Sequence, residues 1–171
     1  RGLDVSVIEL EKQVFLPVDY EMAQPLHHHL ELHGIDLKLN TSVTGFEPAD
    51  HALQVNLSTG EKQTADLAIL AVGVKPETNL AADAGLELGV RGSIVANENM
   101  QTCDPDIYAI GDAVQVTDFV TEKPAVVPLA GPANRQGRIA ADNIFQKKSA
   151  YKNTQGTAIC KVFDLAVATT G

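Results

Sequence analysis

The chain has 171 residues, 44% of them hydrophobic and 20% charged, an ordinary globular composition with room for one domain or parts of two. Its formal net charge of -9 argues against a nucleic-acid surface, which needs clustered Lys and Arg, and Lys147-Lys148 is too small a cluster to supply one. No run of about 18 apolar residues is present to span a bilayer, and the first residues do not read as a secretory signal.

Arg1-Gly2-Leu3-Asp4 leads directly into Val5-Ser6-Val7-Ile8-Glu9, an apolar run closed by an acid, as in a buried parallel strand. The start lacks a methionine, and the end breaks off at Gly171 after a strand-like Cys160 to Val167. Both ends therefore read as internal to a longer protein, with about 150 residues expected before Arg1 on typical domain size. Asp19 is a candidate N-cap for a helix carrying Met22, Leu26 and Leu30 at helical spacing. Pro25 either kinks that helix or starts a second one, and Gly34 occupies the C′ position.

Ile35, Leu37 and Leu39 alternate as a strand, and segments 42–47, 52–58 and 61–66 read as a three-stranded antiparallel meander. In the meander Leu53, Val55 and Leu57 alternate with polar residues, and Thr59-Gly60 supplies a turn. Leu67 to Val72 is wholly apolar, the pattern of a strand buried on both faces, with Gly73 at its carboxyl end. A turn-rich stretch over 76–100 contains a short strand at Ser93-Ile94-Val95. Ile107 to Ile110 reads as a further buried strand ending in Gly111-Asp112. Leu129 to Gln146 is a helix with a stripe of Ala133, Gly137, Ala140 and Ile144, which permits close approach to a sheet or ligand. The fold class is α/β, with Rossmann-like parallel sheets and a three-stranded β-meander insertion.

In open α/β sheets ligands bind beyond the carboxyl ends of the strands, and three such ends carry suggestive residues. Glu9 is placed to accept hydrogen bonds from ribose hydroxyls, although a strand-end acid is more often simple solvated surface. Gly73 lets backbone approach a cofactor, or makes a tight turn. Thr102 to Asp112, Thr-Cys-Asp-Pro-Asp-Ile-Tyr-Ala-Ile-Gly-Asp, is the most specific: a turn, a short buried strand and a terminal acid with a glycine that gives a ligand room.

That last segment resembles the second FAD-binding motif of the pyridine nucleotide-disulfide oxidoreductases, where the aspartate holds the flavin ribityl chain. The resemblance implies cofactor contacts at Glu9 (NADH ribose), Gly73, Thr102, Gly111 and Asp112. Val126 to Arg138 resembles the flavin-side helix start, implying further contacts from Pro128, Leu129 and Ala130. Residues 1–74 would complete an NAD-binding domain, 75–150 an FAD-binding domain, and 151–171 would begin a dimerisation domain.

Pro128 to Arg138 and Lys161 to Leu165 look closest to the coenzyme A-disulfide reductase and NADH-dependent persulfide reductase branch. There the position matched by Asn134 lies near bound coenzyme A, often as a histidine, while an asparagine reads equally as an ordinary helix residue. The implied parent is a cytoplasmic homodimer that passes hydride from NADH through FAD to a cysteine, reducing a small-molecule disulfide or persulfide such as that of coenzyme A. The fragment itself would hold no catalytic residue and be inactive alone. NADH oxidase or peroxidase activity on the same scaffold, or a non-catalytic nucleotide-binding module, are the alternative readings.

Other residues invite less. His27-His28-His29 and His33 read as a polar helix face and not a metal site, because no carboxylate or cysteine stands at a supporting spacing. Cys103 and Cys160 form no CxxC and read as reduced packing residues. Asp104-Pro105 and Asp118 read as turn residues. A parallel sheet lacking its first strand leaves unpaired apolar edges, which favours self-association.

Overall fold

The computed structural model describes residues 2–171, which divide into two compact units. One takes the chain up to Ala71 together with Ala158–Thr169, and the other takes Val72–Thr157 with Thr170–Gly171.

In the first unit, β1 (Val5–Ile8) and β2 (Ile35–Lys38) pair in parallel, Val5 opposite Ile35, with α1 (Tyr20–Leu32) as the crossover between them. Such a crossover is what parallel neighbours require. Asp19 stands at the N-cap and Gly34, at φ +77°, follows the C-cap, so both boundaries match the capping residues. Pro25 neither splits nor ends α1, which runs through it from Tyr20 to Leu32. The buried face is Ala23, Leu26, His27 and Leu30, a 3.6-residue stripe. Met22 was expected on that face but is 65% exposed, because it lies one position off the stripe. His27 is a core histidine, its Nε2 accepting the Val14 N–H at 3.1 Å.

The meander forms as expected from β3 (Val43–Ala49), β4 (Ala52–Leu57) and β5 (Lys62–Ala65), all antiparallel, with β4 central. Val55 and Leu57 of β4 are buried, and Pro48 sits on the edge strand β3, where its missing N–H costs no ladder bond. Gly60, at φ +86°, makes the β4–β5 turn. The unit is completed by the hairpin of β8 (Thr157–Val162) and β9 (Leu165–Thr170). Cys160 to Val167, expected as one strand, reverses at Phe163-Asp164, and Phe163 takes φ +54° to make the turn.

Leu67 to Val72 corrects a firmer expectation: it forms no strand, and Leu67, Ile69, Leu70 and Val72 are exposed. A strand exists only through ladder hydrogen bonds to a neighbour, and no described residue supplies one here. β1 is likewise only half-buried, because its sheet has two strands.

The second unit holds α2 (Asn79–Asp83), the short pair β6 (Val116–Thr117) and β7 (Pro124–Ala125), and α3 (Ala130–Ile144). Ser93 to Val95 and Ile107 to Ile110 make single bridges, Ile94 to Leu88 and Val114, and Tyr108 to Gln101, in place of the expected strands. The core gathers Met100, Val116, Ile139, Ala140 and Tyr151. Ile144, expected on the packing stripe, is 56% exposed. Cys103, expected as a packing residue, is exposed, because the turn that carries it projects from the core; both cysteines are free thiols.

Asp118 is the turn residue expected. Its Oδ1 accepts the Val120 and Thr121 N–H groups and the Thr121 hydroxyl. The Thr121 bonds favour the ionised form and hold this carboxyl below its ordinary value of 3.8. The turn's contribution is therefore complete above the ordinary carboxylate range and is lost as pH falls through the depressed value. A carboxyl-detected NMR titration should place the Asp118 midpoint below 3.8. Separately, Leu57→Ala should lower the opening free energy of the meander amides by about 2–5 kcal/mol, read by native-state hydrogen exchange.

Candidate functional site

The loop from Met100 to Ala109 closes on itself. The Thr102 hydroxyl donates towards the carbonyls of Asp104 and Ile107, each at 3.1 Å, and accepts the Asp104 N–H at 3.2 Å. Asp104 Oδ1 then takes the Asp106 N–H, and Ala109 N–H returns to the Met100 carbonyl. Thr102 is thus buried and committed to shaping the loop, while the chain beyond it is delivered in a defined direction to Gly111-Asp112.

Gly111 adopts φ +87°, a conformation that favours glycine, and opens the 3-10 turn Gly111–Ala113. Its N–H donates to Gln136 Oε1 at 2.7 Å, and Gln136, on the inner face of α3, is only 1% exposed. This bond ties the turn to the middle of the helix. Asp112 is carried outward, exposed, and its carboxylate has no hydrogen-bond partner among the described residues.

An open cleft of about 680 Å³ lies beside it, lined by Ile110, Asp112, Ala130, Ala133, Asn134, Gly137, Arg138 and Ala141. That volume falls in the range of small-molecule sites. Ala133, Gly137 and Ala141 recur every four residues, so the helix offers backbone-close, side-chain-poor surface there. Leu129 is the N-cap of α3 and has no side chain able to cap, so the Ala130 and Gly131 N–H groups have no partner among the described residues. Asn134 lines the cleft with its Nδ2 donating to the Ala130 carbonyl at 2.9 Å. Pro128 and Leu129 lead into the helix, and of the three residues Pro128 to Ala130 only Ala130 lines the cleft.

The donor set fits a polyhydroxylated, anionic cofactor. A free carboxylate accepts from sugar-alcohol hydroxyls, and unpaired amides at the positive end of a 15-residue helix attract electron-rich groups. Two residues here escape sequence reading. Gln136 could have been noticed as a polar residue among small ones on the buried helix face. Arg138 could have been noticed as a cation four residues after Asn134. Neither cysteine lines the cleft.

In the other unit Glu9 follows β1 directly, at the carboxyl end of the parallel pair. Its Oε1 accepts the Glu11 N–H at 2.9 Å, and its backbone is held by Lys38 and Thr41. Oε2 has no partner among the described residues. Gly73 lies in an irregular segment at φ +85°. Replacing Gln136 by Ala would strand the Gly111 N–H, and the second unit should lose about 1–3 kcal/mol by hydrogen exchange at the Gly111–Ala113 turn.

Comparison with known proteins bears on the family and the fold. A family model described as pyridine nucleotide-disulphide oxidoreductase matches residues 1–137. An NADH oxidase of Methanocaldococcus jannaschii is 38% identical over 176 residues, covering all of this chain and 38% of that protein. An NAD(P)H coenzyme A polysulfide/persulfide reductase of Pyrococcus horikoshii is 33% identical over 172 residues, with the same coverage. The crystal structure of reduced Bacillus anthracis CoADR-RHD superposes with a TM-score of 0.92 at 51% identity, over 99% of this chain and 30% of that one. The chain thus spans well under half the length of the curated relatives it matches. Its sequence, its α/β fold and the match over most of its length place the chain in the pyridine nucleotide-disulphide oxidoreductase family.

Proposed function

We propose that this chain provides half of the cofactor-holding machinery of an FAD-dependent enzyme that takes hydride from NADH and reduces a disulfide or persulfide, coenzyme A-linked by the names of its relatives. The observation that carries the reading is the unpartnered Asp112 carboxylate, set by Gly111 beside the uncapped start of α3. Bound FAD would supply the two-electron relay between nicotinamide and sulfur. Asp112 would accept hydrogen bonds from the ribityl hydroxyls, Ala130 with its neighbours Pro128 and Leu129 would present backbone to the flavin, and Gly111 would leave room. Thr102 would act by shaping the loop. Asn134 faces the same cleft and would contact the thiol substrate.

Glu9 would accept the adenosine ribose hydroxyls of NADH and disfavour a 2′-phosphate by charge. Gly73 would ease the passage from the NAD domain (1–74) to the FAD domain (75–150), with 151–171 beginning a dimerisation domain of a cytoplasmic homodimer. No helix among the described residues is long and apolar enough to cross a membrane. The sulfur nucleophile is assigned to neither Cys103 nor Cys160, since neither lines the cleft, and this chain would be inactive alone.

The kinship with an NADH oxidase supports a second reading, in which oxygen is the acceptor. NADH-dependent oxygen uptake without added disulfide would favour it over the first. In the full chain, Asp112→Ala should weaken FAD about 10- to 100-fold, the scale of a lost charge-assisted hydrogen bond. Flavin retained as tightly as in the parent protein would remove Asp112 from the site. Glu9→Ala should raise KM for NADH while leaving flavin content unchanged.

A further inference from the structure

The histidine-rich end of α1 lacks a carboxylate partner in sequence, yet the fold brings one. His29 and His33 stand four residues apart on one face of the helix end, the spacing at which two imidazoles can share an ion. The β8–β9 turn of the same unit lies against them. Phe163 stacks on His33 with ring centroids 4.0 Å apart and planes within 10°, and Asp164 Oδ1 approaches His29 Nε2 to 2.9 Å. One ring nitrogen from each histidine and one Asp164 oxygen all lie within 4.8 Å of one another.

Three features of this cluster suit a metal better than a plain ion pair. First, His29 Nε2 is shielded from water and makes no directed hydrogen bond, since Asp164 is near in distance but not aligned as an acceptor. Second, the His33 ring is held by its Nδ1, which donates to the His29 carbonyl at 2.8 Å. A carbonyl can only accept, so this bond sets the tautomer and leaves Nε2 with a lone pair, the usual support for a metal-binding histidine. Third, the cluster lies at the C-terminal end of α1, where the helix dipole favours positive charge.

We propose that His29, His33 and Asp164 bind a borderline divalent transition-metal ion of the Zn2+ type, which pins the β8–β9 turn to the end of α1. Two imidazoles and one carboxylate, with no thiolate, are a ligand set for such ions, with water completing the coordination. Bonds of about 2.0–2.1 Å set neighbouring ligand atoms about 3.3 Å apart in a tetrahedral site. The cluster therefore has to contract, and the mobile partner is Asp164, whose side chain is 86% exposed. His27 takes no part, because its Nε2 is occupied by the Val14 N–H, and His28 points to solvent on another face. The site shares no residue with the Asp112 cleft.

The test is a Zn2+ titration of the full chain by calorimetry, repeated with Co2+ to read its visible d–d absorption. One equivalent should bind, with a Co2+ spectrum of nitrogen and oxygen ligation. His29→Ala, His33→Ala and Asp164→Asn should each weaken binding at least about tenfold, the scale on which even supporting residues act at metal sites. His28→Ala should bind as the parent does. Asp164→Asn preserves the shape of the turn, and far-UV circular dichroism of each variant guards against misfolding. Absence of Zn2+ binding, or binding that survives all three substitutions, would overturn the assignment and leave an ordinary histidine–aspartate contact.

Discussion

The hydrogen bond from the Gly111 N–H to the buried Gln136 amide is the contact on which the second unit's functional geometry depends. Gly111 supplies a backbone conformation that favours glycine, and Gln136, at 1% exposure, supplies a polar anchor on the buried face of α3. With the two joined, Asp112 stands exposed beside the cleft. α3 itself is seated by Ile139 and Ala140 in the apolar core, and the bond fixes the Gly111–Ala113 turn against it. A buried amide satisfied by a single partner is costly to disturb, which adds a polar tie to the apolar packing of Ile139 and Ala140.

The first unit uses a different device for a comparable end. There a parallel pair with its crossover helix puts Glu9 at a carboxyl strand end, where backbone bonds to Lys38 and Thr41 hold it. The crossover helix packs through Ala23, Leu26 and Leu30 and includes a histidine that is satisfied internally. One helix therefore contributes a core face and, at its far end, the His29 and His33 pair that meets the β8–β9 turn. In both units a buried polar side chain is satisfied by a backbone N–H, from Gly111 in one and Val14 in the other.

Much of this fold is legible in the residues themselves. The meander follows from period-two alternation around Thr59-Gly60, α1 from Asp19 and Gly34 at its ends, and α3 from its run between Leu129 and Gln146. The acid at Glu9 likewise stands where strand-end logic puts it, whereas Gly111-Asp112 follows a single bridge and not the expected strand. These are local signals, written in caps, turns and periods spanning a few residues. Apolar character alone misleads over Leu67 to Val72, since hydrophobicity states a wish for burial and not the presence of a neighbour. It also overstates Met22 and Cys103, whose exposure depends on a rotation of about 100° per helical residue and on the projection of one turn.

By itself, the sequence determined the α/β class and the family resemblance, and it singled out the carboxylates proposed for the cofactors, because each rests on short-range pattern and side-chain chemistry. Only the tertiary structure decided that Thr102 spends its hydroxyl on its own loop, that Gln136 holds Gly111, and that Asp164 arrives beside His29 and His33. The last two outcomes join residues 25 or more positions apart, and chain distance carries no record of which polar groups will meet once the backbone has turned; Thr102 meets groups within five residues, but only the loop's closed geometry brings them to its hydroxyl.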